Sequence, residues 1–240
     1  LLNDPSGPLF NRTLAGALDP PGSTFKLVVA SAAIDSGSFT ADSAFPNPAL
    51  LTLPQSSFQI SNSDEAPCGP GDTVTIATAV RLSCNIPMAE LGQQLGYRRR
   101  NVAFAQRNDT DSVHNLGWVT LLVQIATRAL ADQVDHTRSG ARSNVPMPLP
   151  RRPEMAMVSM VIANGGTIMK PNLVESILSS NLNSIEQFTP AEFRRAMSEQ
   201  TAATMTGLMV SSVANGAANT ATIDGVDVAG KTGTAENGAG

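Results

Sequence analysis

A serine and a lysine three residues apart, Ser23 and Lys26, could together form a nucleophile and its base. They follow Pro20, Pro21 and Gly22, which keep the approach out of helical geometry. The residues that follow are apolar on nearly every side and predict a buried helix over 23–36, ended by Gly37. Ser23 and Lys26 would then lie one turn apart on the same face. We therefore hypothesise that Ser23 is the nucleophile and that Lys26 accepts its proton.

This pair also has an ordinary structural explanation. Serine is a common N-terminal cap, and a lysine near a helix start can extend its amine to water. With 22 serines and 3 lysines in the chain, about 0.3 chance matches to Ser-x-x-Lys are expected, so the spacing is weak support on its own.

Two further motifs strengthen the hypothesis. Lys231-Thr232-Gly233 has a chance expectation of only ~0.02, and it lies on a predicted strand over 226–235. Ser83-Cys84-Asn85 is weaker, since about 1.5 Ser-x-Asn matches are expected and a second occurs at 179–181. We favour the first because it lies in a tight break between two predicted helices. Two of the three lysines thus fall within these motifs, in this chain order.

The elements around the motifs predict a mixed chain of helices and short strands. One helix is expected through Val74 to Leu82 with Asp72 or Thr73 as its cap, and the next has Pro87 in its first turn and ends near Gly96. Further elements expected along the chain are short strands at 50–53 and 58–60, a helix from Pro153 to Asn164-Gly165-Gly166, paired strands at 167–169 and 173–178, a helix start at 189–192 and a helix ending at Asn215-Gly216.

Residues 98–152 do not fit this pattern. They contain 9 of the 13 arginines, both histidines and no Glu or Lys, and their single helical stretch is Val119–Ala131. Two explanations stay open: a solvated, arginine-rich insertion, or a reading-frame slip near Tyr97 that is restored near Pro153. An uninterrupted reading frame with normal codon usage would exclude the slip.

Composition excludes several classes of function. The net charge of −4 carries no nucleic-acid signature, and no basic run is interleaved with aromatic residues, so no nucleic-acid partner is expected. His114 and His136 have no ligand spacing, so no metal is expected, and no cofactor is implied. No apolar run reaches the roughly 18 residues of a membrane span. Cys68 and Cys84 are either two buried thiols or one disulfide, which would require an oxidising compartment.

The three motifs together resemble those of class B penicillin-binding proteins, near their actinobacterial A type. Shorter stretches at 66–69, 90–92 and 157–166 resemble the family as well, so that coverage is roughly residues 1–97 and 153–240. The resemblance implies that 1–240 is part of one transpeptidase domain, truncated at both ends. It implies an α+β fold of the β-lactamase/transpeptidase type, in which a helical lobe packs beside an antiparallel sheet.

The resemblance also implies a role for each motif residue. Ser23 attacks the D-Ala-D-Ala amide of a peptidoglycan stem peptide, Lys26 is its base, and an amine then takes the acyl group. Ser83 relays the proton to the leaving group, and Asn85 holds the substrate amide. The remaining roles are carboxylate attraction by Lys231 and Thr232, peptide pairing along Gly233, and an oxyanion hole of the Ser23 and Thr234 N–H groups.

Related activities use the same residues. A D,D-carboxypeptidase would use water as the acceptor, and a non-enzymatic β-lactam sensor would stop at the acyl-enzyme. A class A β-lactamase is less favoured, because the Glu-x-x-Leu-Asn motif of its deacylating glutamate is missing.

Partners and location follow from the resemblance too. We expect β-lactams to acylate Ser23, and the intact protein to be held at the extracytoplasmic face of the cell membrane by one N-terminal anchor, with cell-wall or division machinery as partners. Because the family's Lys-Thr-Gly strand is followed by further strands and a final helix, we expect the 240 residues alone neither to fold cooperatively nor to turn over substrate.

Overall fold

The computed structural model describes residues 21–54, 57, 59–105, 152–170 and 174–234, with the backbone alone for 96–105 and 152–155. The helix expected at Val119–Ala131 lies outside the described residues. So does nearly all of the 98–152 segment, with its two explanations.

One helix that is buried on almost every side forms the centre of the core. A 3₁₀ turn over Gly22–Phe25 leads into α1, Lys26–Asp35, and Gly37 follows with a φ of 68°. Every side chain from Lys26 to Ala33 is buried. The predicted helix and its stop are thus confirmed, with a first turn that is 3₁₀ rather than α-helical.

The remaining helices pack around α1. They are α2 Ile76–Leu82, α3 Ile86–Ala105, α4 Arg152–Ala163 and α5 Glu199–Asn215. Helices α2, α3 and α5 contact α1 directly, and α2 and α4 also pack on α5. No helix among the described residues is both long and apolar enough to cross a membrane.

The strands of the described residues are short and form four two-stranded antiparallel sheets. The pairs are β1 Ala44–Pro46 with β4 Thr73–Thr75, β2 Leu50–Thr52 with β3 Gln59–Ser61, β5 Thr167–Met169 with β8 Glu192–Arg195, and β6 Ser176–Leu178 with β7 Ser184–Gln187. Helices and antiparallel strands in one chain confirm the α+β class. A single larger sheet is not present within the described part of the chain.

The helix before the Ser-x-Asn motif begins later than predicted. Val74 lies in β4, and Thr75 is the cap: its hydroxyl accepts the Thr78 N–H at 3.1 Å. The caps expected at Asp72 or Thr73 are therefore wrong, because pairing with β1 holds this segment extended. The expected end of α3 near Gly96 is also wrong, since the helix continues to Ala105.

Three predictions in the second half fail because strand pairing is decided by contacts that the local sequence pattern does not specify. The helix start expected at 189–192 is wrong, because Glu192 begins β8. The strands at 167–169 and 176–178 exist but pair with β8 and β7, not with each other. The strand expected over 226–235 is absent through Thr234, where the described chain contains only an isolated bridge between Ile223 and Val226.

Candidate active site

The turn that carries Ser23 is the first component of the site. Ser23 is half-buried in the 3₁₀ turn, and the N–H of Lys26 donates to its carbonyl oxygen. The Thr24 hydroxyl donates to the carbonyl of Pro21, which closes the turn on itself. Lys26 begins α1 one turn later with only 8 % of its surface exposed. The structure therefore places a serine beside a buried lysine, as the sequence predicts.

The amine of Lys26 points at the Ser-x-Asn loop. Its Nζ donates to the carbonyl oxygen of Ser83 at 2.5 Å and to Asn85 Oδ1 at 2.6 Å, with Ser83 Oγ at 3.3 Å. No hydrogen bond joins Lys26 Nζ to Ser23 Oγ within the described part of the chain. Catalytic hydrogen bonds often tighten only when substrate binds, so this does not remove Lys26 as the base.

Backbone geometry creates the break in which the Ser-x-Asn motif lies. Ser83 ends α2 with a φ of 64°, in the left-handed region that residues other than glycine rarely adopt. The Cys84 N–H then donates to the carbonyl of Ala79 at 3.0 Å, and the next helix, α3, begins at Ile86. Backbone strain of this kind is kept where the surrounding structure enforces it, and it clusters at functional sites.

The third motif reaches the same loop from the opposite side. Lys231 Nζ donates to Ser83 Oγ at 2.7 Å, and also to the carbonyl oxygen and the hydroxyl of Thr232. The Ser83 hydroxyl thus lies between two lysine amines. A group in that position can pass a proton between them, which suits the relay predicted for Ser83.

Gly233 brings this segment against the turn that carries Ser23. A Cβ at this position would lie 2.8 Å from Thr24 Cγ2 and 3.6 Å from the Pro21 carbonyl oxygen, so any side chain would push the segment away. Thr232 and Thr234 flank this contact, and Thr234 is the last described residue before the chain end. All three motifs therefore meet, although they are separated by up to about 200 residues in the sequence.

Burial prepares both lysines for acid–base chemistry. Loss of solvent, with a smaller contribution from the charge of Lys231, lowers the pKa of Lys26 to about 7. Desolvation likewise lowers the pKa of Lys231 to about 8. Near neutral pH the two amines can therefore differ in charge, with Lys26 the more readily neutral. A neutral amine can accept a proton from a serine, and a charged one can attract a carboxylate.

A disulfide joins Cys68 to Cys84, at the centre of the Ser-x-Asn motif. Of the two readings of the cysteines, the structure contains the disulfide. It ties the motif to the loop that follows β3, and Cys84 is almost fully buried. Because disulfides persist in oxidising compartments, this bond favours a location outside the cytoplasm.

Two asparagines are important in this region although no motif marks them. Asn62 accepts the N–H groups of Asn85 and Ile86, and Asn47 bonds the backbone of Cys68. Sequence reasoning missed both, because single asparagines are common turn residues. Each directly follows a strand, Asn47 after β1 and Asn62 after β3, and this position was the only available signal.

No cluster of metal-ligating side chains occurs in the described ranges. An open cavity of about 280 Å³ lies where α4 meets β5. Its lining is mainly apolar and includes Met157, Met160 and Met169. The motif residues do not line that cavity, so the site rests on the hydrogen-bonded cluster alone.

The chain matches the family described as penicillin binding protein transpeptidase domain over residues 3–109 and 153–240. This match leaves out 110–152 and extends 12 residues beyond the coverage expected from the motifs. A curated relative, the peptidoglycan D,D-transpeptidase PbpA of Mycolicibacterium smegmatis, is 37 % identical over 239 residues, which is 99 % of this chain and 47 % of the relative. The PbpA of Mycobacterium tuberculosis is 34 % identical over 238 residues, 98 % of this chain and 47 % of the relative.

Solved structures agree with the sequence relatives. The ceftriaxone acyl-enzyme of penicillin-binding protein A from M. tuberculosis has a TM-score of 0.71 at 32 % identity, over 99 % of this chain and 52 % of that one. The D,D-transpeptidase domain of a peptidoglycan glycosyltransferase from Eggerthella lenta has a TM-score of 0.65 at 27 % identity, over 98 % of this chain and 59 % of that one. These matches confirm the predicted fold type. The chain spans about half the length of the curated relatives it matches.

Proposed function

Because the chain belongs to the family of penicillin-binding protein transpeptidase domains, we propose that the intact protein is a peptidoglycan D,D-transpeptidase with Ser23 as its nucleophile. One observation carries this proposal. The two lysines of the Ser-x-x-Lys and Lys-Thr-Gly motifs both contact Ser83, and burial lowers the pKa of each. Residues 1–240 are assigned to part of one transpeptidase domain, with 98–152 as an atypical segment.

In the first step Ser23 is acylated. Its Oγ forms a bond to the carbonyl carbon of the penultimate D-alanine of a stem peptide, while its proton passes to neutral Lys26. The N–H groups of Ser23 and Thr234 hold the oxyanion of the tetrahedral intermediate. The C–N bond then breaks, and the leaving amine takes a proton through Ser83, so that D-alanine departs.

In the second step the acyl group moves to an amine. The acceptor amine of a neighbouring strand attacks the ester carbonyl and loses a proton to Lys26, and Lys26 passes that proton to Ser23 Oγ as the ester bond breaks. Before acylation, Lys231 and Thr232 attract the terminal carboxylate of the donor peptide, which later leaves with D-alanine, and Asn85 holds the donor amide. Gly233 leaves room for an extended peptide to pair along the segment.

β-Lactams are inhibitors in this proposal, because they acylate Ser23 and stay there. Penicillin-binding protein A from M. tuberculosis, a related protein, forms acyl-enzyme complexes with ceftriaxone and penicillin G. We further propose that one N-terminal anchor holds the intact protein at the extracytoplasmic face of the cell membrane, among cell-wall or division machinery. The disulfide supports a location of this kind.

Covalent labelling of the intact protein by a fluorescent penicillin tests the proposal. The wild type should label, and Ser23→Ala should lose the label completely, because the proposal assigns Ser83, the other serine beside the lysine pair, to proton relay and not to attack. Ser36→Ala is the matched control, since Ser36 is an exposed serine at the other end of the same helix and should not affect labelling. Labelling that survives in Ser23→Ala would refute the assignment.

Product analysis distinguishes transfer from hydrolysis. When a stem peptide and an amine acceptor are supplied together, the acceptor should appear in a cross-linked product as D-alanine is released. Release of D-alanine with water as the sole acceptor would indicate a D,D-carboxypeptidase instead.

A further inference from the structure

A buried asparagine supports the Ser-x-Asn loop from behind. Asn62 follows β3 and is 5 % exposed. Its Oδ1 accepts the backbone N–H of Asn85 at 2.9 Å and that of Ile86 at 3.3 Å. These two N–H groups lie at the start of α3. The first N–H groups of a helix have no carbonyl acceptor within the helix itself. Asn62 therefore caps α3 from another part of the chain.

The orientation of the Asn62 side chain is set by a third hydrogen bond. Its Nδ2 donates to the carbonyl oxygen of Ala66 at 2.8 Å. The amide nitrogen thus faces the loop after β3, and the oxygen faces α3. Because both ends of the amide are satisfied, rotation by 180° would place a donor against the N–H groups of α3 and an acceptor against a carbonyl.

The adjacent residue, Ser61, orients the side chain of Asn85. Its carbonyl oxygen accepts Asn85 Nδ2 at 2.9 Å, which leaves Asn85 Oδ1 to face Lys26 Nζ at 2.6 Å. Two successive residues, Ser61 and Asn62, thus hold the side chain and the backbone of Asn85. The position of Asn85 relative to the base is decided here rather than within the motif.

We propose that Asn62 is a positioning residue for acylation, acting through Asn85, and this inference rests on the proposed function. Asn62 itself does not contact the reacting groups. Without it, the buried N–H of Ile86 and the partly buried N–H of Asn85 lose their acceptor, and the start of α3 is free to shift. A shift of about 1 Å can cost on the order of 100-fold in rate.

A second buried asparagine provides a matched control. Asn47 is 4 % exposed and also makes three hydrogen bonds, since it donates to the carbonyls of Cys68 and Gly71 and accepts the Cys68 N–H. It has the same size, burial and number of bonds, but it does not contact the Ser-x-Asn backbone. Asn47→Ala should therefore lower the melting temperature about as much as Asn62→Ala.

The experiment measures the second-order rate of acylation of the intact protein by a fluorescent penicillin. We expect Asn62→Ala to acylate roughly 10–100-fold more slowly, and Asn47→Ala to stay within about threefold of the wild type. Asn62→Asp keeps the acceptor oxygen and should recover most of the rate. Equal rates in Asn62→Ala and the wild type, or equal losses in both alanine variants, would overturn the inference.

A double-mutant cycle separates positioning from general destabilisation. If Asn62 acts through Asn85, adding Asn62→Ala to Asn85→Ala should slow acylation no further, although the melting temperature still falls. If the rate losses of the two single variants multiplied in the double variant, the proposal would be contradicted. If Asn62→Ala does not fold, the shorter Asn62→Ser should show an intermediate loss, and a wild-type rate in that variant would contradict it as well.

The proposed function is tested separately in the same assay. If the wild type labels and Ser23→Ala does not, the nucleophile stands, and the Asn62 variants decide only the positioning role. If labelling is independent of Ser23, that result contradicts the proposed function itself, whatever the Asn62 variants show.

Discussion

The Ser83–Asn85 loop and the Lys231–Gly233 segment contribute to the same cluster, yet they are held in different ways. The loop is fixed by a disulfide, by Asn62 and by the strained backbone of Ser83. Within the described residues the segment belongs to no strand, and its main backbone bond is from the Gly230 N–H to the carbonyl of Met209 at 3.2 Å. Its position depends largely on the contact of Lys231 with Ser83.

The end of helix α2 shows how strongly the loop is fixed. The carbonyl oxygen of Arg81 accepts the Ala217 N–H at 2.9 Å and the hydroxyl of buried Ser212 at 3.3 Å. A Cβ at Gly216 would lie 2.3 Å from that oxygen, so the close approach of α5 requires glycine. The loop thus begins at the C-terminal end of α2, which is bonded to α5, and ends at the N-terminal end of α3, which is capped by Asn62.

This difference matches what each region must do in the proposed mechanism. Proton transfer between Lys26 and Ser83, with Asn85 bound to the Lys26 amine, requires fixed distances, which packing and covalent bonding provide. The Lys-Thr-Gly segment must accept an extended peptide along its edge, and free backbone groups are what such pairing uses. The comparison predicts that substitutions in the segment affect acylation more than stability, and that those in the loop affect both.

The largest effect should come from the segment. Lys231→Met removes the cation that attracts the substrate carboxylate and contacts Ser83, so acylation by a fluorescent penicillin should slow by about 10²–10³-fold. The melting temperature should change little, because few bonds hold the segment. Lys170→Met is the control, since Lys170 is the remaining lysine, lies exposed, and should leave the rate unchanged. A rate within threefold of the wild type would contradict the role of Lys231.

The next effect concerns the loop. Replacing both cysteines, as Cys68→Ser with Cys84→Ser, opens a link between residues 16 apart and should lower the free energy of unfolding by about 3 kcal/mol. Denaturant unfolding of the intact protein measures this, and reduced wild type should match the double variant. The acylation rate should fall as well, because Cys84 lies between Ser83 and Asn85. Unchanged stability would show that the loop is held without the disulfide.

The smallest effect is on the pH dependence of acylation. In the proposed mechanism neutral Lys26 is the base, so the rate should rise about tenfold per pH unit up to a pH near its pKa of about 7. Charged Lys231 attracts the carboxylate, so the rate should decline above its pKa of about 8. Because the two amines interact, the two apparent pKa values of the pH profile are properties of the lysine pair and not of either lysine alone.

Substitution of Lys231 sharpens this test. The charge of Lys231 contributes to the lowered pKa of Lys26, so Lys231→Met should move the acidic limb to higher pH and remove the basic limb. A profile that is flat between pH 6 and 9 in the wild type would exclude this lysine pair as the source of the chemistry.

Much of the site could be predicted from local sequence. Helix α1 follows from an apolar run long enough to be buried on all sides, and Gly37 marks its end because the residue there needs a positive φ. The pairing of Ser23 with Lys26 follows from helical spacing. Each of these inferences uses residues within about ten positions of one another, where backbone geometry decides the outcome.

Other features depend on partners that are distant in the sequence. The segment at 189–192 has the composition of a helix start, but pairing with β5 makes Glu192 the first residue of β8. Lys231 lies in a sequence that alternates like a strand, but a strand requires a hydrogen-bonded neighbour, and the described residues provide none. Asn62 carries no motif, and its importance depends only on which N–H groups lie in front of it.

The sequence alone thus identified the candidate residues for the chemistry, because reactive side chains at helical or strand spacing are a local property of the chain. Only the tertiary structure decided how they meet. The distance from Lys26 to Ser83 and Asn85, the lowered pKa of each lysine, and the support of Asn85 by Asn62 all arise from burial and from contacts between segments far apart in the chain. Desolvation and hydrogen-bond geometry exist only once those segments have packed together.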